Sequence, residues 1–572
     1  MFFGLPDDLV QAMQEIWVHW VKPPTCEVKH NPPAMSCQLR SCKHLKKRYI
    51  DDVPSHNKHP SRSIMSSECN ACTSVQFSGN VKKRLIVCCD GTFNSADTGT
   101  DDYSSNVARL CRVISNFGIS KTGERIPQVV YYQSGVGTGS LTYVDKARQG
   151  AFGGSLAENV CEAYNYLSNN WGPGDEIFIF GFSRGAYTAR SLAGVICQVG
   201  LLTPLLMDNF FEIYSAYKNR GNQAFDETTW ANQPLVPGEL GTLPPQDGVP
   251  PPSYGTRLQH LRKVAHLHVN IKVVGVWDTV GSVGGPNWFA QAGEDTTFLS
   301  TKLSPKIENA FHALALDESR GNFPPTLWHI DSTCMQEDGK TPKVNLKQCW
   351  FPGYHSDVGG HGQGSVDTNS VDEIAFSWMC DQLFGLLQLS GTALQKYILL
   401  RIGTSGIDTK NKSIRNLSAD WRAIAWSNGE LADTNSFTSL WWLSSLVATA
   451  KPAYHRIPGE TKAYEKIGSK KKSIPWRQFN EEVHPSVIHR VKNRKGYMPG
   501  PFAKGWKYVE STNGARAYWV KGSGEGAIVL NEYLIPKLGE FDQSVGHDHW
   551  QSSLERTFAP KDVVDKQDAV QR

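Results

Sequence analysis

The chain has 572 residues, a formal net charge of +4 and 13 cysteines. This length is enough for a large core and for more than one folding unit, and the small charge gives no support for a nucleic-acid-binding body. Thirteen cysteines are too sparse for a disulfide scaffold, so a reducing compartment is the simpler interpretation.

No targeting or membrane-spanning segment is predicted. The first 20 residues lack a positive n-region, and their apolar positions recur at helical spacing. The longest apolar stretch farther along, residues 440–450, has 11 residues, whereas a spanning helix needs roughly 20. We expect a cytoplasmic protein that at most contacts membranes peripherally.

Residues 1–80 are expected to form a basic, disordered extension. Residues 21–84 contain 12 Lys or Arg against 4 Asp or Glu, a net charge of +8, whereas the chain from residue 85 onward is near neutral. The pair Cys69 and Cys72 has a spacing found in zinc sites, but no second pair follows it. Disorder is therefore favoured over metal binding, and we expect neither a metal nor an organic cofactor.

From residue 82 onward, short apolar strands alternate with helix-like segments. Such alternation predicts an α/β fold with a mostly parallel sheet covered by helices on both faces. In chain order the predicted elements are strands 84–89 and 129–132, a glycine-rich loop 135–139, helix 156–167, strands 176–180 and 271–277, a capped helix 304–316, and strand 346–351.

The segment Gly181-Phe182-Ser183-Arg184-Gly185 joins an apolar strand to a helix. Glycines on both sides of the serine permit a sharp turn that exposes its hydroxyl, so this segment is predicted to be a nucleophile elbow. The N-terminus of the following helix supplies backbone N–H groups that can stabilise an oxyanion.

An acid and a histidine follow two later strands. Asp278 ends strand 271–277 and His355 lies just after strand 346–351, so Ser183, Asp278 and His355 occur in the order of the α/β-hydrolase triad. A serine hydroxyl needs an imidazole to take its proton, and the imidazole needs a carboxylate to fix its tautomer. The carboxyl ends of parallel strands meet at one edge, which would bring the three residues together.

Alternatives exist for two members of this triad. Asp278 is also suited to cap the following turn, and Asp357 is its nearest rival as the acid, although it is expected instead to hold the loop after His355. His312 falls inside the predicted helix 304–316 and is expected to be structural. His361 is the better substitute for His355.

The oxyanion hole is expected to combine two loops. The backbone N–H of Arg184, next to the nucleophile, is one predicted donor, and the segment after the first strand, at Gly91 and Thr92, is predicted to supply the second. Asp90 is expected to tie this loop down through its own side chain.

Several motifs taken together resemble the catalytic domain of the type VI secretion phospholipase effectors. They are Ile86–Asn94, Gly135–Thr138, Gly181–Arg190, Val276–Val280, His312–Glu318 and Trp350–Gly360, with a trailing motif at Glu482–Arg490. The resemblance covers roughly residues 82–380 and implies an α/β-hydrolase fold and a phospholipase-type esterase with Ser183, Asp278 and His355 as its triad. Many relatives belong to organisms without such a secretion system, so the family name does not imply secreted toxicity.

Four regions are predicted: the extension 1–80, a catalytic domain 81–390, an accessory or cap region 391–545 that completes this domain, and a flexible tail 546–572. The segment 436–446 is rich in aromatic residues and lysines follow at 466 and 470–472, a combination suited to a lipid interface, although a buried helix and a solvated loop are favoured. Segments 505–509 and 517–520 are predicted to be strands of a small module or cap.

The function expected from the sequence is ester hydrolysis through an acyl-enzyme, with a phospholipid or another acyl ester as substrate. The alternatives are an esterase acting on small non-lipid esters and a non-catalytic binding protein with a hydrolase fold.

Overall fold

The computed structural model describes residues 82–91, 104–120, 122–135, 156–218, 230, 232–248, 250, 253–280, 301–320, 323–360, 371–402, 424–431, 456–467, 470–512, 514–537 and 553–571. The predictions for the extension 1–80, for Thr92 and His361, for most of the glycine-rich loop and for the aromatic segment 436–446 lie outside these residues.

Within the described ranges, an 11-stranded sheet forms the centre of the fold. Its strands in chain order are β1 (Arg84–Cys89), β2 (Phe117–Ile119), β3 (Arg125–Gln133), β4 (Glu176–Phe182), β7 (Ile271–Trp277), β8 (Ile307–Ala315), β9 (Asn345–Phe351), β12 (Glu481–Val483), β13 (Trp506–Val509), β14 (Tyr518–Lys521) and β15 (Ile528–Glu532). Two small antiparallel pairs lie apart from it, β5 (Leu201–Leu202) with β6 (Ala265–His266) and β10 (Tyr464–Ile467) with β11 (Lys470–Ser473).

The spatial order of the strands is β13-β14-β15-β12-β9-β8-β7-β4-β1-β3-β2. Every pairing from β3 to β15 across the middle of the sheet is parallel, and only the pairings at the two edges are antiparallel. The predicted α/β fold with a mostly parallel sheet is therefore confirmed. The parallel strands β4, β7 and β9 end on the same side of the sheet. β4 and β7 are neighbours, and β8 lies between β7 and β9.

Helices cover both faces of the sheet. They are α1 (Asn106–Val113), α2 (Leu156–Asn170), α3 (Ser183–Val199), α4 (Phe210–Lys218), α5 (Arg257–Val264), α6 (His355–Gly359), α7 (Asp372–Gln382), α8 (Gly391–Ile402), α9 (Pro485–Asn493), α10 (Leu554–Phe558) and α11 (Lys561–Val570). Neighbouring residues of a strand point to opposite faces. Ile86 and Phe178 accordingly pack in one core with α1 and α7, while Leu85 and Ile177 pack in a second core with α2 and α3. Because both faces of the sheet are buried, the sequences of these strands are continuous runs of apolar residues.

One sequence prediction about an element was wrong. The segment 304–316 is not a helix, because residues 307–315 form β8, a strand whose last six residues are all buried. Its alanines and leucines favour a helix locally, but pairing with β7 and β9 on both sides decides the conformation. The strands predicted at 505–509 and 517–520 are present as β13 and β14, and they extend the main sheet at one edge.

Candidate active site

The predicted nucleophile elbow is a tight junction between β4 and α3. Ser183 is the first residue of α3 and has φ of 56°, a left-handed conformation that is unusual for a residue other than glycine. A Cβ on Gly181 would collide with the backbone of Gly185 and Ala186, and one on Gly185 would collide with the carbonyl oxygen of Cys89. Both glycines are therefore required by close backbone approach, as the sequence pattern predicts.

His355 connects the serine to an acid. Its Nε2 lies 2.8 Å from Oγ of Ser183, and its Nδ1 lies 2.5 Å from Oδ2 of Asp278. Since an ionised carboxylate only accepts hydrogen bonds, Nδ1 carries the proton and Nε2 is left to accept from the serine hydroxyl. The rings of Phe182 and Phe323 pack against the imidazole, with centroids 4.8 and 5.0 Å away.

The three residues come from three strand ends, as predicted from their order in the chain. Ser183 follows β4, Asp278 follows β7, and His355 lies four residues after β9. All three are buried, with exposed fractions of 7%, 0% and 5%. The structure thus brings together every member of the proposed triad in a region that excludes most water.

Asp278 is held as a carboxylate. Burial raises its pKa, but the adjacent Arg456 guanidinium, and then His355, more than reverse this effect and hold the pKa well below its ordinary range. Both amino groups of Arg456 contact the carboxylate. Sequence reasoning missed Arg456 because no strand-end pattern marks it.

The surroundings of His355 favour its neutral imidazole. Burial lowers its pKa, and the opposing effect of Asp278 does not restore the ordinary value. The backbone N–H of His355 donates to Oε2 of Glu318 at 3.3 Å, and Arg320 pairs with the same carboxylate at 2.7 Å. A neutral imidazole is the form that accepts a proton from a nucleophile.

The loop that begins at Asp90, after β1, matches the sequence prediction except at Gly91. Asp90 ties the loop down as expected, because its carboxylate accepts from the hydroxyls of Ser105 at 2.6 Å and Tyr132 at 2.7 Å. However, the N–H of Gly91 donates to Oδ1 of Asp90 at 2.7 Å, so this predicted oxyanion donor points to its neighbour's side chain. Arg184 lies in the first turn of α3, directly after Ser183, as its prediction requires.

The rival residues have structural contacts. Asp357 accepts from the backbone N–H of Tyr354 at 2.8 Å and thereby holds the turn that carries His355. His312 stands in β8, where its Nε2 accepts from the N–H of Thr279 at 3.1 Å. Burial, followed by the nearby positive charge of Arg190, lowers the pKa of His312 to about 3. Neither side chain takes the place of a triad member.

Among the described residues, no group of three or more His, Cys, Asp or Glu side chains is arranged to hold a metal ion. None of the helices in the same part of the chain combines the length and the apolar character that crossing a membrane requires.

Comparison with known proteins identifies the family of the chain. Residues 83–382 match the family model described as the catalytic domain of Tle1-like phospholipase effectors of the type VI secretion system. An uncharacterised protein of Saccharomyces cerevisiae, YEL023C, is 30% identical over 255 residues, which are 42% of this chain and 32% of that protein.

Two solved structures are also similar to the chain. The Tle1 effector bound to the VgrG spike of the type VI secretion system is 20% identical, with a TM-score of 0.25, over 50% of this chain and 52% of that one. An uncharacterised protein from Pseudomonas aeruginosa is 17% identical, with a TM-score of 0.26, over 53% of this chain and 45% of that one. The matched region spans about a third of the yeast relative and about half of each solved chain.

Proposed function

Because the chain belongs to the Tle1-like catalytic domain family of type VI secretion phospholipase effectors, we propose that it is a serine hydrolase of acyl esters, with a phospholipid as substrate. Ser183 is the nucleophile, His355 the general base and acid, and Asp278 the residue that orients and stabilises His355. The observation that carries this proposal is the unbroken hydrogen-bonded chain from Ser183 Oγ through His355 to Asp278.

The chemistry follows from these contacts. As Oγ of Ser183 attacks the ester carbonyl carbon, its proton passes to Nε2 of His355, and the carbonyl oxygen becomes an oxyanion. Collapse of this intermediate breaks the bond to the alcohol, which leaves with the proton from His355. Water then attacks the acyl-enzyme by the same route, which releases the fatty acid and restores Ser183.

The oxyanion is stabilised at the N-terminus of α3. Ser183 and Arg184 occupy the first turn of this helix, where backbone N–H groups lack helical acceptors and the helix dipole favours negative charge. We assign the Arg184 N–H as one donor. Gly91 becomes the second if its N–H leaves Asp90 when substrate binds, and Thr92 is the remaining candidate.

The family membership supports a lipid substrate. It also favours a division in which residues 1–80 are a basic extension and the hydrolase begins near residue 81. The region from 391 onward then completes the catalytic domain, since β12 to β15 belong to its sheet. Under this proposal the extension contacts anionic lipid and takes no part in the chemistry.

A fluorophosphonate probe tests the proposal directly. We expect the full chain to be labelled at Ser183 and to hydrolyse a short acyl ester, whereas Ser183→Ala should lose both properties by several orders of magnitude. Ser191, which is buried farther along α3, provides a matched Ser191→Ala control that should be labelled normally. Absence of labelling in the unmodified chain would contradict the hydrolase proposal and favour the alternative of a non-catalytic binding protein. Labelling with cleavage of small esters but not of phospholipid vesicles would exclude the lipid substrate.

A further inference from the structure

Arg456 reaches the proposed triad from outside the part of the chain that matches the family. It lies 74 residues beyond the end of the matched region 83–382, and its side chain is completely buried. One amino group contacts Oδ1 of Asp278, and the other lies 2.8 Å from Oδ2. A guanidinium that bonds to both oxygens of a carboxylate fixes the plane of that carboxylate as well as its position.

The same guanidinium connects two further backbone segments near the site. Its first amino group donates to the carbonyl oxygen of Ala315 at 2.6 Å, at the end of β8, and its second donates to that of Phe323 at 3.1 Å. The ring of Phe323 packs against His355. Arg456 therefore links the end of β7, the end of β8 and the segment that covers the imidazole.

Asp278 depends on such support because its backbone is strained. Its φ is 40°, in the left-handed region that residues other than glycine rarely adopt, and this conformation persists only where surrounding contacts enforce it. The N–H of Asp278 donates to Ala313 at 2.8 Å, and Oδ1 accepts from the N–H of Ala315 at 3.0 Å. Apart from these bonds to β8, the carboxylate is bonded to Arg456 and His355.

We propose that Arg456 is a positioning residue of the hydrolytic site, which holds the Asp278 carboxylate in the orientation that His355 requires. This inference rests on the proposed function. It implies that the residues matched by the family model do not form a complete site, because a segment near residue 456 supplies the cation that faces the acid.

Arg456 also affects proton transfer. Oδ2 of Asp278 is shared between Arg456 and His355, so the guanidinium competes with the imidazolium for the same oxygen. Removing the positive charge leaves the carboxylate to His355 and makes protonation of His355 easier. Among the described residues, other charged or titratable groups near the pair include Asp317, Glu318 and Arg320 after β8, His312 within β8, Arg190 within α3 and Asp357 within α6.

Two variants of the full chain separate positioning from a purely structural role. Arg456→Lys keeps the positive charge but loses the bidentate contact with the carboxylate. Arg456→Gln loses both the contact and the charge. For both we expect kcat on a soluble ester, normalised to probe-reactive protein, to fall about 100-fold with KM nearly unchanged, as small misplacements of catalytic groups can cause. In Arg456→Gln alone, the acid limb of kcat/KM against pH should move to higher pH.

Arg490→Gln is the matched control. Arg490 is also a buried arginine of the C-terminal part, but it bonds to the carbonyl oxygens of Ser427 and Gly429. Its loss should lower thermal stability and leave the pH profile of the folded fraction unchanged.

The outcomes distinguish this inference from the proposed function. Wild-type kcat and an unmoved pH profile in the Arg456 variants would overturn the positioning role while the hydrolase assignment stands. If Arg456→Gln does not fold, retention of wild-type kcat in Arg456→Lys is sufficient to overturn it. An unmodified chain that neither reacts with the probe nor cleaves esters would instead overturn the proposed function.

Discussion

The imidazole of His312 accepts a hydrogen bond from the backbone N–H of Thr279, the residue that follows Asp278. Nδ1 of the same ring lies 3.3 Å from Oε1 of Gln348, on the neighbouring strand β9. His312 thus supports the backbone beside the acid, and its low pKa favours the neutral imidazole.

His312→Ala should therefore affect stability more than catalysis. It leaves a buried N–H without its acceptor, which costs about 1–3 kcal/mol, so thermal unfolding should occur at lower temperature. Turnover of a soluble ester should fall by about tenfold or less, whereas His355→Ala should lose several orders of magnitude. Equal losses in the two variants would show that His312 has a direct part in the chemistry.

The identity of the acid can be tested by comparing two amides. Asp278→Asn changes the residue bonded to His355 Nδ1, permits the wrong imidazole tautomer and should reduce kcat on the order of 10⁴-fold. Asp357→Asn changes a carboxylate that accepts from the backbone N–H of Tyr354, next to His355, and it should cost much less. Steady-state rates of the purified variants provide the measurement. The reverse ranking would transfer the role of the acid to Asp357.

Glu481 should make the stability of the protein depend on pH. Burial raises the pKa of Glu481 to about 7, and its carboxyl accepts from Trp350 Nε1 at 2.8 Å and from the N–H of Gly459 at 3.0 Å. The unfolded chain has a lower pKa for this group, so the folded state binds the extra proton between about pH 4.5 and 7. The free energy of unfolding should decrease as pH rises through that window and level off above it.

Glu481→Gln mimics the protonated form and keeps an acceptor for both donors. It should raise the free energy of unfolding at pH 8 by roughly 3 kcal/mol or less, and it should flatten the decrease between pH 5 and 7. Urea unfolding at several pH values measures both effects. Glu482→Gln at the next position, whose carboxylate pairs with Arg516, is the control. An unchanged slope in Glu481→Gln would show that Glu481 is ionised in the folded protein.

The basic extension remains a prediction that truncation can test. Residues 21–80 contain 9 Lys or Arg against 4 Asp or Glu, a net charge of +5, and each basic residue near an anionic bilayer contributes about 1 kcal/mol of binding free energy. Deletion of residues 1–80 should leave turnover of a soluble ester nearly unchanged but weaken sedimentation with anionic vesicles. Added salt should weaken the binding of the full chain. Equal vesicle binding by the truncated and the full-length protein would show that the extension has no role in membrane binding.

The main features of the site follow from rules that act over short distances. Parallel strands bring their carboxyl ends to one edge, so residues that follow β4, β7 and β9 were predicted to meet, and the structure brings Ser183, Asp278 and His355 together there. The glycines of the elbow were predictable for a similar reason, because a sharp turn leaves no room for a Cβ.

The errors arise where distant contacts decide the outcome. The composition of residues 304–316 suits a helix, and only the strands on both sides of β8 impose an extended conformation. Arg456 lies 178 residues from Asp278 in the sequence, and no local pattern of residue types indicates that these two residues are partners. The bond between Gly91 N–H and Asp90 was also unpredictable, since it depends on how a single side chain turns.

The pairing of β12 with β9 has a consequence for the order of events during synthesis. Glu482 lies opposite Cys349, so one side of β9 stays unpaired until more than 130 further residues have been made. A nascent chain that ends at Gln382 contains Ser183, Asp278 and His355 but neither this partner strand nor Arg456. Contacts so far apart in sequence form slowly, because a long loop must close first. We therefore expect the serine to become reactive only after the C-terminal part has emerged from the ribosome. Stalled chains of increasing length, treated with the fluorophosphonate probe, would show labelling appear late; labelling of chains that end near residue 382 would contradict this expectation.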